Sequence, residues 1–335
     1  MKRIFSLDFI RVISTFAIML FHFNIGKIDT FISVGKYGGY TGGIFVAIFF
    51  AISGFGLSYT TKKINISYYK RRVQAIYPTF WLAFIYFYIK KVCSTGAIFY
   101  AGQPSKIVLS ILGIDGFMEI HGFPTYYLVG EWFLGYLIIL YFMYPILKIG
   151  EEKSEKLFSA MIILLFSVMN WLYMFHKEIF CVEIYNNFIT CLICFWFGIL
   201  TCKYRVLLSS RLTFVCGIFL VIIGYEIPDG NMCNLLIASG LFLILYYMGE
   251  YIGKVKVIAI IFAKLSTISY AFYLLHHQFI YETASLFRKD DVMNYYKVLV
   301  FTLIITIAGA MILERVNRSV LIQLKSIFRQ KYVES

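Results

Sequence analysis

The first membrane-length apolar stretch of the chain contains an arginine and a histidine, Arg11 and His22, with ten residues between them. A charged arginine in a lipid-spanning helix costs about 2.5–3.5 kcal/mol on insertion scales, so such a residue indicates a functional site. Eleven helical steps of about 100° return His22 almost to the face of Arg11, about 16 Å further along the axis. One helix face is therefore predicted to carry a cation near one membrane surface and a titratable imidazole beyond the bilayer centre.

Two further residues extend this pattern. Asp8 lies one helical turn before Arg11 and is predicted to pair with it, which lowers the cost of burying the guanidinium. His276 lies deep in a late apolar stretch, on a helix predicted to run in the same direction as the first. Because the chain has only five histidines, two deep ones favour a shared polar site, in which we expect His22 and Arg11 to act with His276.

Three consecutive basic residues, Lys70, Arg71 and Arg72, precede the third apolar run. Guanidinium forks bind phosphate bidentately, so the cluster is predicted as a docking site for a polyphosphate ligand. The alternative is that a basic loop beside anionic lipid anchors the cytoplasmic membrane face. The residues themselves leave both interpretations open.

Glu131 begins the fourth apolar run beside Trp132. Glu131 either faces water at the membrane interface or orients a catalytic imidazole from another helix. Ser53, in FFAISGFGLS (49–58), either belongs to a close helix contact formed by small residues or is a nucleophile that needs an adjacent base. The neighbouring glycines favour helix packing for this segment.

These residues lie in a chain with the composition of a membrane protein. Of its 335 residues, 60% are hydrophobic and 15% charged, whereas soluble domains are about 45–50% apolar and about 25% charged. The net charge of +13 could indicate a nucleic-acid partner, but Lys and Arg fall in short segments between apolar runs, as at a cytoplasmic membrane face. We therefore expect an all-α, multi-pass membrane protein without a nucleic-acid partner.

Apolar runs of roughly 17–25 residues predict a polytopic bundle of about ten transmembrane helices. The predicted spans are 5–25, 41–60, 73–92, 128–147, 157–175, 185–202, 211–226, 232–249, 260–282 and 297–314. Placing both termini in the cytoplasm puts over two-thirds of the Lys and Arg residues on that side, as the positive-inside rule requires. We predict a single transmembrane domain over 1–335, with a core at about 5–314 and a basic cytoplasmic tail at 315–335.

The longest predicted loop, 93–127, lies on the outer side of the membrane. It is either a cover for an acceptor site or a partly helical surface loop. The seven cysteines lie mostly within apolar runs. Cys191 and Cys194 have a CxxC-like spacing, but no second pair or histidine lies nearby in the sequence, which favours a structural role. No metal site is predicted.

Five segments, in the same order along the chain, resemble the acyltransferase family 3 membrane proteins. That family includes bacterial O-acetyltransferases that act on surface polysaccharides. The matching segments are SLDFIRVISTFAIMLFHF (6–23), FFAISGF (49–55), KRRVQAIYP (70–78), WFL (132–134) with Tyr141 and Pro145, and ISYAFYLLH (268–276).

The resemblance implies an O-acyltransferase in a bacterial cytoplasmic membrane, in contact with membrane lipid. Such an enzyme transfers an acyl group, most often acetyl, from cytoplasmic acetyl-CoA to a hydroxyl of a cell-surface or lipid-linked glycan. The phosphates of acetyl-CoA would suit the basic segment 62–72 and Arg11. His22 would act either as general base on the acceptor hydroxyl or as a transient acyl carrier. The main alternative is a transporter or flippase for a glycan or a small organic acid, since intramembrane Arg and His also suit a substrate pathway.

Overall fold

Apolar helices dominate the structure, as the composition predicts. The computed structural model describes residues 3–24, 41–61, 63–228, 230–286 and 292–331, without the side chains of residues 24, 41, 131, 292, 324, 325 and 327–331. Helices account for 86% of the structure, and no strand occurs in these ranges. The prediction of an all-α fold is confirmed.

Within the described ranges, eleven α-helices follow one another along the chain. They are α1 (Phe5–Asn24), α2 (Thr41–Thr60), α3 (Ile66–Thr95), α4 (Ile107–Ile111), α5 (Asp115–Ile120), α6 (Glu131–Phe175), α7 (Phe188–Lys203), α8 (Arg211–Glu226), α9 (Asn231–Ile252), α10 (Lys256–Thr283) and α11 (Val292–Lys331). The short helices α4 and α5 lie between α3 and α6, and the others are long enough to form the bundle.

The predicted spans coincide with the long helices, with one difference. The fourth and fifth predicted spans fall within a single helix, α6, in which Ser154 has non-helical φ and ψ of −155° and 54°. The helix bends there and has two arms. Among the described residues, six helices are long and apolar enough to cross a membrane: Phe5–Phe23, Gly42–Thr60, Trp132–Phe175, Asn231–Ile252, Lys256–Leu286 and Met293–Gln323. The chain is a multi-pass membrane protein, while the count of about ten spans and the cytoplasmic termini stay predictions.

The helices α1 and α10 lie side by side and run in the same direction. Near their N-terminal ends, the hydroxyl of Ser266 donates a hydrogen bond of 2.6 Å to Oδ1 of Asp8. Near their C-terminal ends, ring nitrogens of His22 and His277 are 2.8 Å apart. The two helices predicted to share a polar site are therefore neighbours over most of the length of α1.

The helices α2 and α7 pack closely enough for their backbones to touch. A Cβ built at Gly198 would overlap the carbonyl oxygen of Ala51, and one built at Gly54 would overlap the carbonyl oxygen of Phe195. Small residues permit this approach between membrane helices, where packing rather than the hydrophobic effect holds helices together. Gly54, within the Ser-Gly-Phe segment, therefore serves helix packing, as predicted for residues 49–58.

The segment between α3 and α6 folds back onto α3. The indole N–H of Trp81 donates to the carbonyl oxygen of Ile111 at 2.9 Å, and the hydroxyl of Tyr77 donates to the carbonyl oxygen of Leu112 at 2.8 Å. At Gly130 the backbone φ is 89°, a left-handed conformation that favours glycine, and α6 follows directly. The predicted loop is thus partly helical and held against the bundle, while a role in covering an acceptor stays a prediction.

Asp115, the first residue of α5, is a buried acid in this segment. It is 1% exposed, its Oδ1 accepts a hydrogen bond of 3.0 Å from the backbone N–H of Gly116, and its Oδ2 has no hydrogen-bond partner among the described residues. Burial raises the pKa of Asp115 to about 6, and the charge of Glu119 acts in the same direction. The hydroxyl of Ser110 and the Gly116 amide oppose this rise in pKa without cancelling it.

Candidate active site

Arg11 belongs to a polar network at the N-terminal ends of α1 and α10. Its Nη1 donates to the hydroxyl of Ser266 at 3.0 Å and lies 3.7 Å from Oδ1 of Asp8. Arg3 also bonds to the carboxylate of Asp8, which is buried. The predicted pairing of Asp8 with Arg11 is confirmed, and it fixes the Arg11 side chain against α10 while compensating a charge inside the bundle.

A cavity of about 180 Å³, here named the arginine cavity, opens beside this network. Helices α1, α2, α3, α6 and α10 all contribute to its walls. Its polar lining residues are Arg11, Ser53, Arg72, Tyr141, Ser269, Tyr270 and Tyr273. Although Arg11 lies inside a predicted span, 34% of its side chain is accessible, since it borders this space.

Arg72 reaches the arginine cavity from α3. Its Nε is buried and has no hydrogen-bond partner in the described part of the chain, and its guanidinium carbon lies 5.9 Å from the centre of the Tyr141 ring. A buried donor without an acceptor needs an explanation, and a bound anion would supply the acceptor. Lys70 and Arg71 are exposed and do not line the cavity. Of the three basic residues predicted to hold a donor, the structure brings only Arg72 together with Arg11.

The imidazoles of His22, His276 and His277 meet near the C-terminal end of α1. Nδ1 of His22 lies 2.8 Å from Nε2 of His277. The ring centre of His22 is 5.3 Å from that of His276 and 4.1 Å from that of His277. The structure therefore brings together the two histidines expected from the sequence and adds a third.

The backbone of α10 fixes the orientation of His276. Its Nδ1 lies 2.6 Å from the carbonyl oxygen of Tyr273, and the residue is only 1% exposed. A carbonyl oxygen only accepts hydrogen bonds, so Nδ1 carries the proton in the neutral ring and Nε2 carries the lone pair. The ring of Phe272 is almost parallel to that of His276, at an angle of 11° and a centre-to-centre distance of 6.4 Å. The ring of His276 is held by these contacts.

His277 is a site residue that sequence reasoning missed. Adjacent residues of a helix point about 100° apart, so one helix face does not include both His276 and His277. In the structure the ring of His22 contacts the rings of both His276 and His277. This is possible because α1 packs against α10 between the directions in which these two side chains point. The signal in the sequence was the His-His pair itself, which does not reveal where a neighbouring helix lies.

His22 borders a second cavity, of about 210 Å³, here named the histidine cavity. Aromatic and amide side chains share its lining with His22: Trp132, Tyr185, Asn186 and Asn234. The Oδ1 of Asn234 is buried and has no hydrogen-bond partner among the described residues. Amide groups both donate to and accept from hydroxyl groups, and aromatic rings provide apolar faces, so this cavity suits a hydroxylated ligand.

The arginine cavity and the histidine cavity adjoin. They share four lining residues, which are Ile18, Val46, Phe133 and Tyr273. Ile18 lies on α1 between Arg11 and His22, one helical turn before the histidine. A continuous lining therefore leads from the two arginines to His22, with these four side chains at the junction.

Glu131 is the first residue of α6, but its side chain lies outside the described part of the structure. Its predicted role in catalysis therefore stays a prediction. The next residue, Trp132, lines the histidine cavity.

Comparison with known proteins gives one finding at the level of a family. A family model described as "Acyltransferase domain" matches residues 4–315. This match includes every residue that lines the two cavities. Comparisons with curated proteins and with solved structures found no match.

Proposed function

Since the chain belongs to this acyltransferase family, and is a membrane acyltransferase, we propose that it moves an acetyl group from acetyl-CoA to a hydroxyl of a cell-surface or lipid-linked glycan. The supporting observation is the pair of adjoining cavities, one bordered by two arginines and the other by His22. The first suits an anionic donor and the second suits a hydroxyl acceptor. The proposed location is a bacterial cytoplasmic membrane.

The donor would bind from the side of the arginines. Acetyl-CoA combines several phosphates with a long, narrow pantetheine arm that ends in the thioester. The exposed Lys70 and Arg71 would attract the nucleotide phosphates, and Arg72 would bind the phosphate nearest the arm with its buried Nε. The arm would then follow the arginine cavity past Arg11 and bring the thioester towards His22.

The acceptor would bind in the histidine cavity, with its hydroxyl beside His22. The Oδ1 of Asn234 would accept a hydrogen bond from one sugar hydroxyl, and Asn186 offers a second amide. The rings of Trp132 and Tyr185 would pack against the apolar face of the sugar. The acceptor hydroxyl and the donor thioester would meet at the junction of the two cavities.

In the proposed reaction, Nε2 of His22 takes the proton of the acceptor hydroxyl while the oxygen attacks the carbonyl carbon of the thioester. The C–S bond then breaks, the sulfur leaves as the CoA thiolate with the bonding electron pair, and the imidazolium returns the proton to it. A hydrogen bond from Nδ1–H of His22 to Nε2 of His277 would orient the base and stabilise its imidazolium. General base catalysis contributes about 10²–10⁴-fold.

The test uses purified protein in liposomes with radiolabelled acetyl-CoA and a native cell-envelope extract as acceptor. We expect the wild type to transfer label to the extract and His22→Gln to lose transfer by about 10²-fold or more. His121→Gln, which changes a histidine outside the two cavities, is the matched control and should retain activity.

Two results would contradict the proposal. Equal transfer by the wild type and by His22→Gln would remove His22 as the base. If the wild-type protein consumes no acetyl-CoA, whichever acceptor fraction is added, the alternative of a transporter would be favoured. Label that stays bound to the protein would instead identify an acyl-histidine intermediate, the alternative path of the same reaction.

A further inference from the structure

The three histidines form a cluster of potential metal ligands. His22, His276 and His277 each offer a ring nitrogen, and these three nitrogens all lie within 4.8 Å of one another. Two helices supply them, with His22 on α1 and the other two on α10. Three imidazoles around an open position form the ligand set of a catalytic-type zinc site.

We propose that His22, His276 and His277 form a binding site for a divalent transition-metal ion of the zinc class. Neutral imidazole is a preferred ligand of such ions. A metal-bound histidine almost always donates its other ring N–H to a carbonyl or a carboxylate, and the Nδ1 of His276 already lies 2.6 Å from the carbonyl oxygen of Tyr273. Its Nε2 therefore has the correct tautomer to bind a metal. This proposal departs from the expectation, drawn from the sequence, that the chain holds no metal.

Metal binding requires the three rings to move, because their ligand nitrogens lie up to 4.8 Å apart. In the structure, Nδ1 of His22 and Nε2 of His277 are 2.8 Å apart, at hydrogen-bond distance. Bonds of about 2.0–2.1 Å to a tetrahedral zinc ion would place two ligand nitrogens ~3.3 Å apart. The proton between these nitrogens would move from Nδ1 to Nε2 of His22, since imidazole ligands bind metals in their neutral form. Rotation of the partly exposed His277 would lengthen this distance, and the longer distances in the cluster would have to shorten.

The proposed metal site borders the histidine cavity, because His22 lines that space. Water, or an oxygen of a ligand in the cavity, would occupy the fourth coordination position. Coordination through Nδ1 leaves the remaining ring proton of His22 on Nε2. That nitrogen then cannot accept a proton, so a bound metal ion would block the base. This inhibition rests on the proposed function, whereas metal binding itself does not.

Binding is measured on untagged, full-length protein in detergent, after removal of metals with a chelator. The protein is equilibrated with Zn²⁺ alone and the bound metal is quantified by mass spectrometry and titration calorimetry. We expect one ion per chain in the wild type and an affinity at least about tenfold weaker in His276→Gln and in His277→Gln. The chain provides two matched controls, His121→Gln and His176→Gln, which should bind like the wild type.

Two further readouts separate a built site from surface binding. Zn²⁺ should raise the melting temperature of the wild type and of both controls, but not that of the two ligand variants. Co²⁺ should give the intense visible absorption of a tetrahedral nitrogen site. Equal affinity in all variants, no binding by the wild type, or the weak spectrum of octahedral Co²⁺ would each overturn the proposal.

The acetyl-transfer assay then tests the consequence for catalysis. Zn²⁺ should inhibit the wild type at concentrations that match its binding curve, and a chelator should restore transfer. A wild-type protein that binds zinc but transfers no acetyl group even in its metal-free form would contradict the proposed function and leave the metal site standing. Transfer that is unaffected by bound zinc would show that the metal does not block His22 as the base. The metal site itself would still stand.

Discussion

Arg11 retains its charge inside the bundle because three features of its surroundings compensate it. The carboxylate of Asp8 supplies an opposite charge, the hydroxyl of Ser266 accepts a hydrogen bond, and the arginine cavity keeps part of the side chain accessible. The pairing with Asp8 could be predicted, because the relative angles of residues within one helix follow from the helical repeat. The position of His22 along the same lining could be predicted for the same reason.

Apart from the meeting of His22 with His276, contacts that depend on two helices could not be predicted in this way. Lys70, Arg71 and Arg72 are consecutive, and only the rotation of α3 against its neighbours decides which of them enters the cavity. His277 was missed for a similar reason, since the sequence does not state on which edge of α10 the helix α1 lies. A single sequence contains the angles within each helix but not the angles between helices.

The first prediction concerns the difference between two adjacent arginines. Arg72→Gln should raise the KM for acetyl-CoA by about tenfold or more, since a hydrogen bond to a charged group contributes about 1.5–3 kcal/mol. Arg71→Gln removes the same charge from an exposed position outside the arginine cavity and should change KM by less than about threefold. Steady-state kinetics with both variants provides the measurement. Equal effects would mean that the donor is attracted by net charge and not bound in the cavity.

The second prediction concerns Asp115. Its pKa lies above the ordinary value of 3.8, at about 6, so the folded protein binds this proton more tightly than the unfolded chain does. The protonated acid therefore stabilises the fold at low pH, and this contribution is lost as the pH rises from about 4 to about 6. The difference in pKa corresponds to about 3 kcal/mol.

Asp115→Asn keeps the shape of the side chain but stays neutral at every pH. The variant should have a higher melting temperature in detergent than the wild type at pH 7.5, and this difference should be much smaller at pH 4.5, where most of the contribution is still present. A difference of equal size at both pH values would show that the carboxyl group does not change its charge in this range.

At the level of helices, the contact between α2 and α7 shows what a run of small residues can and cannot reveal. The glycine content of 49–58 predicted a close helix contact, and the structure contains one. The partner was not predictable, because the glycine of α7 lies in an ordinary apolar run with no pattern of its own. Gly54 and Gly198 are far apart in the sequence, and only the packed bundle brings them together.

The third prediction tests this contact with a matched pair of substitutions. Gly198→Ala places a methyl group against the backbone of Ala51 and should lower stability by about 1–3 kcal/mol, the typical cost of overpacking. Gly56→Ala adds the same methyl group on α2, at a position where no atom lies within 4 Å of the new carbon. Because alanine favours helix more than glycine does, the melting temperature of this variant should be unchanged or higher. Thermal unfolding in detergent provides the comparison. Equal melting temperatures for both variants would mean that the two helices separate easily.

The helix α6 shows how short the connection between two predicted spans can be, because its non-helical residue Ser154 lies between the fourth and fifth apolar runs. The charged residues between the fourth and fifth apolar runs suggested a loop, yet the chain continues as helix with a bend at Ser154. Nζ of Lys148 lies 2.5 Å from a carboxylate oxygen of Glu151, and Nζ of Lys203 on α7 lies 2.5 Å from one of Glu155. The pair of Lys148 and Glu151, three residues apart in one helix, favours helix at charged positions, which a hydropathy profile does not register. The pair of Lys203 and Glu155 instead joins α7 to α6.

For the molecule as a whole, α1 connects the two halves of the candidate site. It carries Arg11 at the first cavity, Ile18 at the junction and His22 at the second. The other walls come from helices that are distant in the sequence, including α2, α6 and α10. The multi-pass helical fold could be predicted from apolar runs, whereas the two adjoining spaces arise from the bundle and could not.

The fourth prediction tests whether the two cavities act as one path. Ile18→Trp enlarges a side chain at their junction and should reduce acetyl transfer by about tenfold or more, while acetyl-CoA still binds beside the arginines. Leu164→Trp makes the same enlargement at an exposed position of α6, where 62% of the residue is accessible, and should leave transfer unchanged. Binding is measured by calorimetry and transfer with radiolabelled donor. Normal transfer by Ile18→Trp would mean that donor and acceptor meet elsewhere.

Under the proposed function, the four side chains at the junction would also act as a size filter for the acyl group. Ile18, Val46, Phe133 and Tyr273 present mainly carbon atoms to whatever passes between the cavities. An apolar passage discriminates one methylene group by only about 10–200-fold, because it has no polar group that a wrong substrate would leave unpaired. Acetyl, propionyl and butyryl donors should therefore give rates that fall in steps. Under the proposed function, the identity of the acyl group delivered to the acceptor would then depend on the relative concentrations of these donors in the cell as well as on the protein.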